Sequence, residues 1–300
     1  MKLIKINLLI FYFLSTCLLF SSENKIRIQI KQGASTYAIA KMLKQNKIIR
    51  SEHFFVLLVR FEKATKQLKT GIYEFPPNTS TFSVIKQLKK GEGILTKIVI
   101  PEGFSKTEIA ARLAANGLGD ENKFLEIINQ KNLEGYLFPD TYYFSETWSE
   151  EKILAEMQKT FEINTAALLK NVTNKKELII MASIIEKEAK LPSERPFISS
   201  VFYNRLKRGK YLESCATIQY ALGARKERIF YDDLNIKSPY NTYRKKGLPP
   251  TPICSPGIDS IKAALNPANT NYLFFVKKKT NDGSHVFSKT FNEHVRAKNE

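Results

Sequence analysis

Apolar positions fall into three regimes along the chain. From Ile6 to Phe20 they run almost unbroken, interrupted only by Asn7, Ser15 and Thr16. Between Ile28 and Asn116 they alternate over short stretches and then recur at helical spacing, the pattern of brief strands followed by amphipathic helices. Beyond residue 146 longer helical periods take over. Ile153, Met157, Phe161 and Leu168 line one side of a helix predicted over 149–170.

The middle regime contains a repeat at an offset of 70 residues. Ile28, Ile30, Gly33, Ser35, Ile39, Ala40, Leu43 and Asn46 are matched in register by Ile98, Ile100, Gly103, Ser105, Ile109, Ala110, Leu113 and Asn116. Each copy reads as strand, tight turn and helix. Alternating isoleucines give the strand a buried face, the glycine permits the turn, and the serine suits a helix N-cap. Glu108 completes a capping-box spacing with Ser105. The first copy continues through an apolar helix over Phe54–Phe61 and a strand over Gly71–Phe75, which ends at Pro76-Pro77. Strand, helix, helix, strand is the layout of a LysM-like glycan-binding module, and this segment resembles one; a purely structural role is the alternative.

In the third regime, Leu133–Tyr142 is predicted as a packed turn or loop. A helix then starts after Thr173 or Asn174 and runs to Lys190, stopping before Pro192. It is apolar nearly all round until Glu186, as in a buried helix. At about 100° per residue Glu186 lies over Ile179 and Ala182, and Glu188 over Ile180 and Ile184. A carboxyl group on such a surface is partly desolvated, which disfavours its charged form and suits a general acid near neutral pH. Periodicity does not choose between the two glutamates. Pairing of either with Lys187, Arg195 or Arg205 is the alternative. Further on, Asn204, Arg205, Thr217 and Gln219 are set among aromatics, and Tyr240-Asn241-Thr242-Tyr243 continues that mixture. Sugar sites need it, since hydroxyls take hydrogen bonds and ring faces take aromatics. The stretch 247–257 is rich in Pro and Gly and predicts a stiff loop of the kind that lines sites. A short helix over Ile261–Pro267, a buried strand over Tyr272–Val276 and another over His285–Ser288 follow.

Charge and the first regime narrow the setting. Net charge is +18, from 47 Lys and Arg against 29 Asp and Glu. That excess fits nucleic acid, an anionic membrane or a polyanionic wall. No zinc-finger spacing and no basic tract interleaved with aromatics appears, so nucleic acid is set aside. Lys2 and Lys5 ahead of the apolar run read as an export signal or short membrane anchor with the lysines inside. No small-x-small cleavage site follows, and Leu14-Ser15-Thr16-Cys17 is a poor lipoprotein box; an uncleaved anchor is expected. Cys17, Cys215 and Cys254 form no disulfide framework and are read as free thiols. His53, His285 and His294 are scattered without ligand spacing, so no metal or cofactor is implied and His285 is read as a substrate or structural contact.

Taken in order, Glu134–Tyr142, Ala182–Glu188, Tyr240–Tyr243, Gly247–Pro250, Asn266-Pro267-Ala268 and His285-Val286-Phe287 resemble the YceG/MltG-like endolytic murein transglycosylase family over nearly the whole chain. The resemblance implies an α+β chain. It would comprise an N-terminal membrane helix (1–22), a LysM-like αβ module (23–94), a second repeat with connecting region (95–145) and a mixed α/β catalytic domain (146–300). It implies lytic cleavage of the MurNAc–GlcNAc bond in peptidoglycan, leaving 1,6-anhydro ends, with Glu186 as the catalytic residue. Asn204, Arg205, Thr217, Gln219, Tyr240, Asn241, Thr242, Tyr243 and His285 are the expected substrate contacts. The expected partners are glycan strands, the cytoplasmic membrane and peptidoglycan synthases, with the catalytic domain outside the cytoplasm. An inert wall-binding scaffold is the rival expectation. One departure stands out: Cys215 occupies the place of an Asp in a Leu-Gln-Ser-Asp-x-Thr stretch, and Glu213 replaces the Gln.

Overall fold

A computed structural model describes residues 25–31, 33–91, 93–223, 226–280 and 282–300. The expected membrane helix lies outside the described residues. Among those described, no helix is long and apolar enough to cross a membrane. The chain divides into two compact units, at Ile94 and Leu95.

The first unit is built as β1 (Ile26–Ile30), α1 (Thr36–Gln45), α2 (Glu52–Phe61), β2 (Gly71–Phe75) and α3 (Thr81–Lys90). β1 and β2 pair antiparallel, with Ile28 opposite Tyr73 and Ile30 opposite Gly71. Ile28, Ile39, Leu43, Phe55, Val59, Phe75 and Leu88 close the core between strands and helices.

The second unit opens with the same plan: β3 (Thr96–Val99), α4 (Lys106–Ala115), α5 (Glu121–Gln130) and β4 (Thr141–Phe144), with β3 and β4 antiparallel. The repeat is therefore a complete strand-helix-helix-strand unit in both copies. Its local chemistry recurs in detail. Ser35 Oγ accepts from Ala38 N, and Ser105 Oγ from Glu108 N, the latter within a full capping box. Asn46 and Asn116 each donate their side-chain amide back to the carbonyl four residues earlier. The next residue is left-handed in both copies, Lys47 at φ 56° and Gly117 at φ 73°. Ile48 and Leu118 then bond back to Leu43 and Leu113, which closes each helix in a Schellman-type cap. The end of the predicted 133–142 loop is thus strand, because Thr141-Tyr142-Tyr143-Phe144 alternates outward and inward faces against β3.

After α6 (Glu150–Leu169), the helices α7 (Lys175–Glu188), α8 (Arg195–Lys207), α9 (Cys215–Leu222) and α10 (Ile258–Leu265) gather around α7. Every residue of α7 from Leu178 to Ile185 is buried. β5 (Phe274–Lys277) and β6 (His285–Ser288) form a separate antiparallel pair, and α11 (Phe291–Asn299) ends the chain. β5 is half-buried rather than buried, since it belongs to a two-stranded ladder; Leu273, just before it, is the buried residue.

Candidate active site

The last turn of α7 emerges from the core at Glu186, whose side chain is 7% exposed. Each of its two oxygens has a polar partner. Oε1 lies 3.3 Å from Arg195 Nη2, and Oε2 accepts the Gly257 backbone N–H at 3.0 Å. Arg195, the first residue of α8, is itself buried and serves two further carboxyl groups: Glu102 Oε2 at 3.6 Å from Nη2 and Asp259 Oδ2 at 3.8 Å from Nη1. A buried guanidinium needs such partners, because its desolvation is otherwise uncompensated. Its Nε is buried without a protein partner.

Four segments are held together at this point. The turn between β3 and α4 is locked to the proline-rich loop by Gly103 N–H to Ser255 O and Ser255 N–H to Phe104 O, at 2.9 and 2.8 Å. Lys187 Nζ donates to Gly103 O at 3.1 Å. Ser183, one turn before Glu186, accepts the Ile253 N–H at its Oγ and takes the Cys254 thiol at its carbonyl. Burial pushes that thiol well above its ordinary pKa, so Cys254 is an inert packing residue.

Glu188 points elsewhere. Its Oε1 accepts from Ser214 Oγ at 2.5 Å and Ala216 N at 3.4 Å, at the N-terminal end of α9. Burial raises its pKa, with those two bonds opposing. The two glutamates that periodicity leaves equivalent thus have distinct environments: one in a multi-carboxyl cluster, the other holding a helix start.

A third carboxyl, Glu134, is 5% exposed. Its Oε1 accepts the Lys106 N–H at 3.0 Å and its Oε2 the Tyr220 hydroxyl at 2.8 Å. Burial pushes its pKa up to about 7 against those bonds. It ties the first turn of α4 to α9. Tyr220 in turn packs on Tyr240, ring centroids 4.8 Å apart, and the Tyr240 hydroxyl is hydrogen-bonded to Thr251 Oγ1 at 2.7 Å.

The remaining expected contacts are distributed as follows. Asn204 donates to the carbonyls of Thr270 and Tyr272. Arg205 is buried, with Nε on Leu273 O and Nη1 on Tyr211 O, Leu212 O and Glu213 Oε2. Thr217 and Thr242 are buried and bonded to each other at 2.8 Å, and Asn241 is buried on the carbonyls of Leu234 and Ile236. Gln219 brackets Lys226 through both its N–H and its C=O. These polar atoms build the loops beside the site. Tyr243 meets the exposed Cys215, Oη to Sγ 3.1 Å. His285 Nδ1 lies 2.6 Å from Glu194 Oε2. A groove of about 480 Å³ lined by Lys176, Glu177, Ile180, Leu206, Leu248, Pro249 and Pro250 sits along the first half of α7, away from Glu186.

Sequence reasoning missed Glu102, Gly257 and Asp259, and did not single out Glu134. For Glu102 a signal existed: the repeat has Gln32 at the matching position, so the second copy departs from its twin by placing a carboxyl there.

Comparison with known proteins bears on this geometry. The YceG-like family matches residues 28–300. The endolytic murein transglycosylase of Bacillus subtilis (strain 168) is 37% identical over 313 residues, covering 92% of this chain and 85% of that protein. The endolytic murein transglycosylase of Streptococcus pneumoniae serotype 2 (strain D39) is 28% identical over 322 residues, covering 92% of this chain and 58% of that protein. The crystal structure of a YceG-like protein from Listeria monocytogenes superposes with a TM-score of 0.60 at 35% identity, over 92% of this chain and 99% of that one.

Proposed function

The chain belongs to the YceG-like family, and on that premise we propose that it is a peptidoglycan lytic transglycosylase with Glu186 as its acid. It cleaves within glycan strands, between MurNAc and GlcNAc, and leaves 1,6-anhydroMurNAc ends. The observation that carries the assignment of Glu186 is its shared hold on Arg195 and Gly257, beside the half-exposed Glu102.

Protonated at Oε1, Glu186 keeps the Gly257 N–H on Oε2, while Arg195 retains Glu102 and Asp259 as counter-charges. Proton donation to the glycosidic oxygen develops an oxocarbenium-like centre at C1. The C6 hydroxyl of the same MurNAc then attacks C1, so the nucleophile belongs to the substrate and water does not enter the bond.

The first unit is proposed as a LysM-like glycan-binding module, supported by its strand-helix-helix-strand plan. The lysine-flanked apolar run at 3–20 supports a single-pass anchor in the cytoplasmic membrane, with the described units outside and peptidoglycan synthases as neighbours. Tyr240, Tyr243 and His285 remain the proposed sugar contacts among the expected set. Digesting purified glycan strands with the wild type and with Glu186→Gln, then separating the products by mass spectrometry, tests the function. Anhydro-ended products from the wild type and their loss in the variant are expected. Undiminished anhydro ends from the variant would sink the assignment of Glu186, and reducing ends from the wild type would show hydrolysis instead.

A further inference from the structure

Gly257 has φ −75° and ψ 169°, a conformation open to any residue, so backbone freedom does not require a glycine here. Space does. A Cβ at this position would fall 1.8 Å from Glu102 Oε1 and 2.1 Å from its Cδ. Gly257 therefore leaves room that the Glu102 carboxyl fills, while its own N–H holds Glu186. The two carboxyl groups flank one glycine and share one nitrogen, Arg195 Nη2. Glu186 is nearly enclosed, whereas half of the Glu102 side chain is open. Among the described residues Arg195 is the only ion-pair partner of Glu102, and at 3.6 Å a half-exposed pair adds little stability. Yet the turn that carries Glu102 is fixed on three sides, by Ser255, by Lys187 and, through Lys106, by Glu134.

We propose that Glu102 is a second catalytic carboxylate, the base that takes the proton of the MurNAc C6 hydroxyl; this rests on the lytic reading above. Glu186 gives its proton to the glycosidic oxygen, and the C1–O bond pair leaves with GlcNAc, which departs as an alcohol. As the O6–C1 bond forms, the O6 proton passes to Glu102. Glu186 ends as carboxylate and Glu102 as acid, with no oxidation or reduction. Both reset by proton exchange with water, to which Glu102 is open. The groups facing Glu102 are Glu186 from α7, Arg195 from α8 and Asp259 from α10. Burial, Glu186 and Asp259 raise its pKa and Arg195 lowers it, with a net rise.

The test is steady-state cleavage of purified peptidoglycan by the full chain and three variants: Glu102→Gln, Gly257→Ala and the two combined. Glu102→Gln is expected to lower kcat about a hundredfold with KM little changed, and to abolish the acid limb of the pH profile. Gly257→Ala keeps the N–H to Glu186 but displaces the Glu102 carboxyl, so it is expected to reproduce that loss. The double variant is expected to be no worse than either single one. Wild-type kcat and pH profile in Glu102→Gln overturns the proposal, as does a change confined to KM. If Glu102→Gln does not fold, as judged by circular dichroism, Gly257→Ala alone decides by the same criteria. Failure of the lytic reading looks different: there the wild type yields no anhydro ends, whatever Glu102→Gln does.

Discussion

Replacing Glu134 with Gln separates a buried acid from its pH dependence. In the folded chain its pKa is pushed from 4.5 up to about 7, chiefly by burial, while Tyr220, the Lys106 N–H and the Lys106 charge lower it and Glu108 adds to the rise. The folded state therefore holds this proton more tightly than the unfolded one. The stabilisation is complete below about pH 4.5 and is lost as pH rises through about 7, at up to ~1.4 kcal/mol per pH unit. Across the whole window that amounts to roughly 3 kcal/mol, most of it between pH 5 and pH 8. Burial is what favours the neutral acid; the two hydrogen bonds, from the Lys106 N–H and the Tyr220 hydroxyl, favour the carboxylate and are outweighed. A glutamine at 134 cannot ionise, though its NH₂ fits one of the two donors badly, at a pH-independent cost of about 1–3 kcal/mol. Urea unfolding read by fluorescence is the assay, because Trp148 is the sole tryptophan and lies in the second unit. With a slope of about 1–3 kcal/mol per molar urea, the wild-type midpoint should fall by on the order of 1–2 M more than the variant's between pH 5 and pH 8. Parallel pH dependences for the two proteins would refute the reasoning.

Three further outcomes are expected. Ser183→Ala leaves the buried Ile253 N–H without an acceptor and should cost about 1–3 kcal/mol in denaturant unfolding, with faster amide exchange at Ile253 and lower activity. Gly135→Ala combines φ +84° with a Cβ 2.4 Å from Pro252, whereas Gly117→Ala, at φ +73°, meets nothing within 4 Å. Thermal melts should show the first far more damaged than the second, whose cost is the left-handed backbone alone, about 1–2 kcal/mol. Ser105→Ala removes one half of a capping box and should lower stability by about 1 kcal/mol by the same fluorescence measurement, without altering KM.

Much of the fold was legible because it is local. Ser35 and Ser105 cap helices through atoms three residues away. Ile39, Ala40 and Leu43, like their repeat partners, are buried because helical spacing puts them on one face. The misreadings have equally local causes. Gly135 and Pro139 mask the strand that starts at Thr141, since turn residues dominate the window until β3 supplies a partner. The apolar run at 272–276 reads as a buried strand, but among the described residues it pairs with one strand only, and Phe274, Phe275 and Val276 stay half-buried.

The candidate site divides along the same line. By itself the sequence determined that α7 is a buried helix ending in a Glu-Lys-Glu triplet, that a strand-turn-helix unit occurs twice, and that the loop at 247–257 is stiff. Each of those follows from interactions within a few residues. Only the tertiary structure decided that Glu186, and not Glu188, meets Arg195, and that Glu102 and Gly257 stand beside it. Positions 102, 186, 195 and 257 belong to four segments that share no local period. Glu186 and Glu188 lie two residues apart, about 200° around the helix, so they face different neighbours. What those neighbours are depends on how α8, α9 and α10 close around α7, and that is settled by packing the whole core at once.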